Sequence, residues 1–182
     1  MDQMKKSGDT SIAWYKLADL IARREREKAL SVYRLLSHSF EDKAYALQLE
    51  GDILYSLDDK NALEKYKQAA FLYRKEQRWI NALSICEHLL ELDPHNVELV
   101  GILLDLYVRL DWHEKCNELL DRIAEKINRQ QIDEDAFVRT LKKLFEGERG
   151  ETLHETSGTL KKIMSSKSNI HPIIKQVLKA FL

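Results

Sequence analysis

The stretch that decides the fold is residues 73–94, YRKEQRWINALSICEHLLELDP. Its apolar residues recur at helical spacing, on both sides of a polar break. The same order of residue types returns in residues 107–123, YVRLDWHEKCNELLDRI. Two pairs of matching positions lie 34 residues apart: Tyr73 with Tyr107, and Ala82 with Cys116. A period of this length predicts a stack of helix pairs.

Helical periodicity extends outward from this stretch in both directions. Two short polar residues, Asn96 and Asp133, are candidate N-caps. Asp93-Pro94 should end the helix that precedes Asn96. The predicted helices are a first around residues 12–21, then 26–38, 41–57, 60–77, 79–92, 96–110 and 112–128, and an eighth that Asp133 caps.

The residue types at these positions resemble tetratricopeptide repeats. That family places small residues where the two helices of a pair cross, and the matching positions are Gly51, Ala62, Ala69, Ala82, Gly101 and Cys116. It fills the space between pairs with aromatics, and the matching positions are Tyr66, Tyr73, Trp79, Tyr107 and Trp112. The resemblance implies an all-α, right-handed solenoid of antiparallel helix pairs, with about nine or ten helices and a C-terminal capping or docking helix.

The array is predicted to be irregular at one point. Ala62 and Ala82 are only 20 residues apart, which a strict two-helix repeat does not allow. The helix at 60–77 can therefore be the second helix of one repeat or the first helix of the next.

Three segments are expected along the chain. The repeat domain covers residues 10–146, and residues 147–158, which hold 3 of the 6 glycines, form a loop or joint. Residues 159–182 form a C-terminal segment whose last helix, 172–182, has one apolar stripe. Two roles stay open for that helix: it caps the stack, or it docks on a partner or on a second copy of the chain.

Composition and charge exclude several classes of function. The net charge is −1, and residues 41–150 carry 16 Lys and Arg against 23 Asp and Glu. An RNA-binding helical repeat would need a basic groove, so nucleic acid is not an expected partner. The apolar runs are too short for a membrane span, and two cysteines make no disulfide framework. These features predict a cytoplasmic protein with no membrane partner.

No residue pattern predicts an enzyme. His154-Glu155 begins like a zinc-protease motif, but residue 158 is glycine where the second histidine should stand. We therefore expect no catalytic residues, no metal, no cofactor and no small-molecule substrate.

The predicted function is a non-catalytic adaptor that binds a peptide or helix of a protein partner. In the family that this chain resembles, the first helix of each pair lines a concave groove that holds the ligand. With Tyr73 and Tyr107 as buried references, the predicted groove residues are Lys67, Phe71, Arg74, Lys75, Glu98, Asp105, Arg109, Arg139 and Lys143. Tyr45, Gln48 and Asp52 would extend this face on its N-terminal side. The alternatives are a cytosolic chaperone for a secreted or assembly-prone client and an RNA-binding helical repeat.

Overall fold

A computed structural model describes residues 2–139 of the chain, with side chains from residue 11 onward. These residues form helices and no strand, which confirms the predicted all-α class. The helices are α1 (Asp2–Ala22), α2 (Arg26–Ser37), α3 (Lys43–Ser56), α4 (Asn61–Lys75), α5 (Trp79–Leu92), α6 (Val97–Arg109), α7 (His113–Asn128) and α8, which is described over residues 134–139. Right-handed winding stays a prediction, and the segments 147–158 and 159–182 lie outside the described residues.

The helix boundaries agree with the periodicity to within one or two residues from α2 to α7. The exception is α1, which begins at Asp2, well before the first predicted apolar position at Ile12. Residues 2–10 carry no apolar stripe, so periodicity gives no signal there. Within residues 2–139, no helix combines the length and hydrophobicity that crossing a bilayer requires.

Short polar side chains cap three helices, and two of these caps were predicted from the sequence. Asn96 accepts a hydrogen bond from the Leu99 amide at 3.1 Å, and Asp133 accepts one from the Ala136 amide at 2.6 Å. Asp42 does the same for α3, accepting from the Tyr45 amide at 2.9 Å. Each cap satisfies an amide that the first helical turn leaves without a partner.

Left-handed residues mark the helix ends at a regular spacing. Positive φ angles of 57–59° occur at Arg24, Asp58, Gln77, Asp111 and Gln130. The successive separations are 34, 19, 34 and 19 residues. The 34-residue steps repeat the period of the sequence, whereas the two 19-residue steps span α4 and α7. The end of α4 therefore resembles the end of α3 and differs from the end of α5, which is followed by Asp93-Pro94.

The described chain divides into two compact units, the first of which ends at Arg78. In this unit α1 packs on α2, α2 on α3 and α3 on α4. The closest approach joins α3 to α4: a Cβ added at Gly51 would lie 2.8 Å from the Tyr66 ring. Only glycine fits at this crossing without moving a buried aromatic ring.

Ion pairs join the turns of the first unit over a distance of one repeat. Arg24 pairs with Asp58, and Arg26 donates to Asp59 at 2.5 Å, 33 residues along the chain. The Asp59 carboxylate also accepts from the Asn61 amide at 2.9 Å, and these contacts hold the pKa of Asp59 below its ordinary value. Ion pairs near the protein surface add little stability, so these contacts mainly fix the orientation of the turns.

The second unit begins at Trp79, and α6 is its central helix. α6 packs against both α5 and α7. Nine of its thirteen residues are buried, including every residue from Leu103 to Val108. In α8, Phe137 is 1% exposed.

The predicted small residues all occupy the interior. Ala69, Ala82 and Cys116 are fully buried, and Gly51, Ala62 and Gly101 are buried too. The predicted aromatics differ among themselves. Tyr66, Tyr73 and Tyr107 are buried as expected, but Trp112 is 42% exposed. Trp112 precedes α7 and stacks on the Tyr107 ring with centroids 6.5 Å apart, so it covers the edge of the core instead of filling it.

Candidate functional site

The outward face of α4 carries the first group of predicted site residues. Lys67, Phe71 and Lys75 are spaced by four residues, so they lie on one side of the helix. All three are exposed, and Phe71 leaves 61% of its surface uncovered. Arg74, on the same side, is half-buried. The opposite side of α4 is fully buried, so this row is held in place by the core.

The two lysines of this row lack a carboxylate partner in the part of the chain that the structure describes. Neither Lys67 nor Lys75 forms an ion pair with another residue of the described chain, whereas Lys65, close by, pairs with Glu50 at 3.1 Å. An exposed aromatic ring between two available cations is suited to an acidic or aromatic group of another molecule.

Gln48 and Asp52, which were predicted to extend this face, both accept hydrogen bonds within the first unit, and Asp52 stays exposed. Their oxygens accept hydrogen bonds from two buried tyrosines of α4: Gln48 from Tyr73 at 2.9 Å and Asp52 from Tyr66 at 2.8 Å. Burial, followed by the bond to Asp52, raises the pKa of the Tyr66 hydroxyl well above its ordinary value. These side chains therefore fasten α3 to α4 and hold the exposed row rigid.

The predicted site residues of α6 and α8 lie in the second unit and have different environments. Glu98 is exposed in the first turn of α6. Asp105 is only 7% exposed and pairs with Arg109 at 2.9 Å. The Arg109 guanidinium also lies 4.9 Å from the centre of the Trp79 ring. Arg139 is exposed at the end of the described chain, and Lys143 lies outside it.

The Asp105–Arg109 pair links α6 to the start of α5 instead of presenting two separate charges to a ligand. Its side chains are 10% and 22% exposed, and the guanidinium is shared between the carboxylate and an indole ring. This arrangement stabilises the contact between the two helices.

A cleft of about 720 Å³ opens between α5 and α7, above α6. Its floor is apolar and includes Leu103 and Leu119, while Leu90 of α5 offers a partly exposed apolar wall. Charged residues line the rim: Glu87 and Glu91 on α5, and Lys115, Glu118, Asp121, Arg122 and Lys126 on α7. None of the predicted site residues lines this cleft.

The sequence could not reveal the cleft, although it contained one clue. Arg122 and Lys126 are four residues apart beside Leu119 and Ile123, so cations border the apolar stripe of α7. That pattern is also ordinary for a helix with one solvated face. The width of the cleft depends on the separation of α5 and α7, and the hydrophobic periodicity of the sequence does not determine that separation.

Comparisons with known proteins give limited similarity. No family model matches the chain. A curated protein of Drosophila melanogaster, described as a BBSome complex member BBS4 homolog, is 35% identical over 66 residues. The aligned region covers 36% of this chain and 13% of that relative, so the chain spans a small part of the relative's length.

Proposed function

We propose that this chain is a non-catalytic protein–protein interaction module of the tetratricopeptide-like type, which binds a peptide or helix of a partner protein. The observation that carries the proposal is the exposed row Lys67, Phe71 and Lys75 on α4, because the helix presents an aromatic side chain between two lysines that form no ion pair with the residues that the structure describes. The similarity to a protein described as a member of a complex supports a protein partner. The same row could receive a client segment in the chaperone alternative.

The proposal is tested by affinity purification from the native cell with the chain carrying Phe71→Ala and Lys67→Glu together. Both side chains are exposed, so the fold should survive, and thermal denaturation checks this. Loss of an aromatic anchor costs about 2 kcal/mol, or about a 30-fold loss of affinity. Proteins captured in fixed stoichiometry by the wild type should therefore be lost by the double variant.

The matched control is Leu35→Ala, which truncates an apolar side chain of α2 that is 75% exposed. This control should retain the captured proteins. An unchanged set of captured proteins in the Phe71→Ala and Lys67→Glu variant would show that the α4 row is not the binding face. RNA recovered in place of protein would favour the RNA-binding alternative.

A further inference from the structure

Within residues 2–139, two cations in the cleft between α5 and α7 have no carboxylate partner. Arg122 is exposed on the wall formed by α7, and it forms no salt bridge with any residue of the described chain. Lys126 lies one helical turn further on, half-buried, and its ammonium donates to the carbonyl oxygen of Pro94 at 2.5 Å. Burial, and secondarily the neighbouring Arg122, lower the pKa of Lys126. An anion placed here would relieve the repulsion between the two cations.

Most acidic groups of the cleft are already engaged. Glu87 accepts a hydrogen bond from the Tyr107 hydroxyl at 2.6 Å, and Glu118 pairs with Lys115 at 3.1 Å. Asp121 is likewise engaged by another group of the protein. Glu91, which is 79% exposed on the α5 side, lies 3.9 Å from a ring nitrogen of His88, a longer contact than those of Glu87 and Glu118, so it is the acidic group most available to a ligand. The available charge is thus positive along α7 and negative along α5, although acidic residues outnumber basic ones in the lining.

We propose that this cleft binds an acidic segment of the partner protein, with a carboxylate against Arg122 and Lys126 and an apolar side chain of the same segment against Leu90. The inference rests on the proposed function, because it names the chemistry of the partner in the second unit. A carboxylate against guanidinium and ammonium groups forms charge-assisted hydrogen bonds. The opposite charges of the two walls set the orientation of the bound segment, since its carboxylate must face away from Glu91 on α5.

Charge also argues against other occupants of the cleft. Residues 159–182 contain 5 Lys and no Asp or Glu, so the C-terminal segment of this chain would bring further cations to Arg122 and Lys126. A nucleic acid would bring a row of phosphates past Glu87, Glu91, Glu118 and Asp121, which would repel it. A single carboxylate flanked by apolar residues fits both walls.

The experiment is a fluorescence-anisotropy titration of the full-length chain with a short synthetic peptide that combines Glu and Leu. The same peptide with Gln in place of Glu should bind about tenfold more weakly, because it loses the charge-assisted bonds. Arg122→Glu should weaken binding of the Glu peptide at least as much. The control Arg129→Glu makes the same charge change on the residue that follows α7, where Arg129 is 69% exposed and pairs with Glu125, and it should leave affinity unchanged.

Several outcomes would overturn the inference. They are absence of binding by the Glu peptide, equal binding of the Glu and Gln peptides, and wild-type affinity in Arg122→Glu. Displacement of the Glu peptide by a synthetic peptide of residues 159–182 would assign the cleft to the chain's own C-terminal segment. Binding of a single-stranded oligonucleotide that Arg122→Glu abolishes would assign it to nucleic acid, and self-association that Arg122→Glu abolishes would assign it to a second copy.

The cleft and the α4 row can fail separately. If the variants of Phe71 and Lys67 lose their captured proteins while Arg122→Glu binds the Glu peptide like the wild type, the cleft inference fails and the proposed function stands. If the wild-type chain captures no protein at all, the proposed function itself fails.

Discussion

Gly51 and Tyr66 fix how closely α3 and α4 approach each other. The Tyr66 ring is 3% exposed and is anchored by its hydroxyl to Asp52, so it cannot swing away from the Gly51 backbone. The absence of a side chain at Gly51 therefore has a packing reason, because its position within a helix would otherwise favour alanine.

Replacing Gly51 with alanine should destabilise the chain although alanine is the better helix former. The new methyl group would lie 2.8 Å from two carbons of the Tyr66 ring. Overpacking of this kind costs about 1–3 kcal/mol, against about 1 kcal/mol gained in helix propensity. We expect the free energy of unfolding in urea to fall by up to about 2 kcal/mol.

A double-mutant cycle separates the clash from any other effect of the added methyl group. In a Tyr66→Ala background the ring is absent, so Gly51→Ala should become neutral or stabilising. An equal loss of stability in both backgrounds would mean that Tyr66 is not the cause.

Single residues show where sequence reasoning succeeds and where it stops. Ala82 and Cys116 could be placed in the interior because their size and 34-residue spacing fit a helix crossing. Asp105 was predicted to face an open groove, because its angle from Tyr107 on the helix pointed outward. The structure buries it because α6 is covered by both α5 and α7, and a helical wheel describes one neighbour only.

At the scale of the elements, the helix ends carry a backbone feature that the sequence hides. Five non-glycine residues adopt the left-handed conformation in which glycine is the usual occupant. Pattern reading places most ends correctly, because polar residues interrupt the apolar stripe there. It cannot detect left-handed turns that contain no glycine, since Arg, Asp and Gln carry no signal for them.

Gln130→Gly should stabilise the turn that follows α7. Gln130 has a φ of 57° and an exposed side chain, so its Cβ adds strain and little packing. Removing the Cβ from a left-handed residue should raise the free energy of unfolding by about 0.5–1 kcal/mol in chemical denaturation.

The neighbouring residue provides the control for this prediction. Arg129 has an ordinary φ of −84°, so Arg129→Gly should give no gain and should cost some stability through backbone entropy. If both glycine substitutions change stability equally, the left-handed conformation is not the reason.

For the whole molecule, the repeat period predicts the helical class, which the structure confirms. The cleft between α5 and α7 could not be predicted, because it depends on how far apart two non-consecutive helices lie across α6. The α4 row could be predicted in part. The sequence places Lys67 and Phe71 on one face of the helix, and the structure adds that the lysines have no ion pair in the described chain.

Buried tyrosine hydroxyls in both units should make the whole fold sensitive to alkali. The side chains of Tyr33, Tyr66, Tyr73 and Tyr107 are at most 3% exposed, and each hydroxyl donates to an acceptor in a neighbouring helix. Burial, with Glu50 as a secondary cause, raises the pKa of Tyr33 to about 12. Burial is also the largest cause of the raised pKa values of Tyr66, Tyr73 and Tyr107.

The expected result is a loss of stability that begins near pH 10. A folded-state pKa above the unfolded value of about 10 means that the unfolded chain loses its phenolic protons first. The stabilising contribution is therefore complete below about pH 10 and is lost as the pH rises through the folded pKa, about 12 for Tyr33. The urea midpoint should fall over this window, together with the rise of phenolate absorbance.

Substitution of one tyrosine should flatten this alkaline loss. Tyr33→Phe removes the hydrogen bond to the Ala46 carbonyl and should cost about 0.5–1.5 kcal/mol near neutral pH, but it leaves one ionisable hydroxyl fewer in the core. The control Tyr15→Phe changes a side chain that is 79% exposed and should keep the wild-type pH dependence. If Tyr33→Phe loses stability with pH as steeply as the wild type, ionisation of Tyr33 does not contribute to alkaline unfolding.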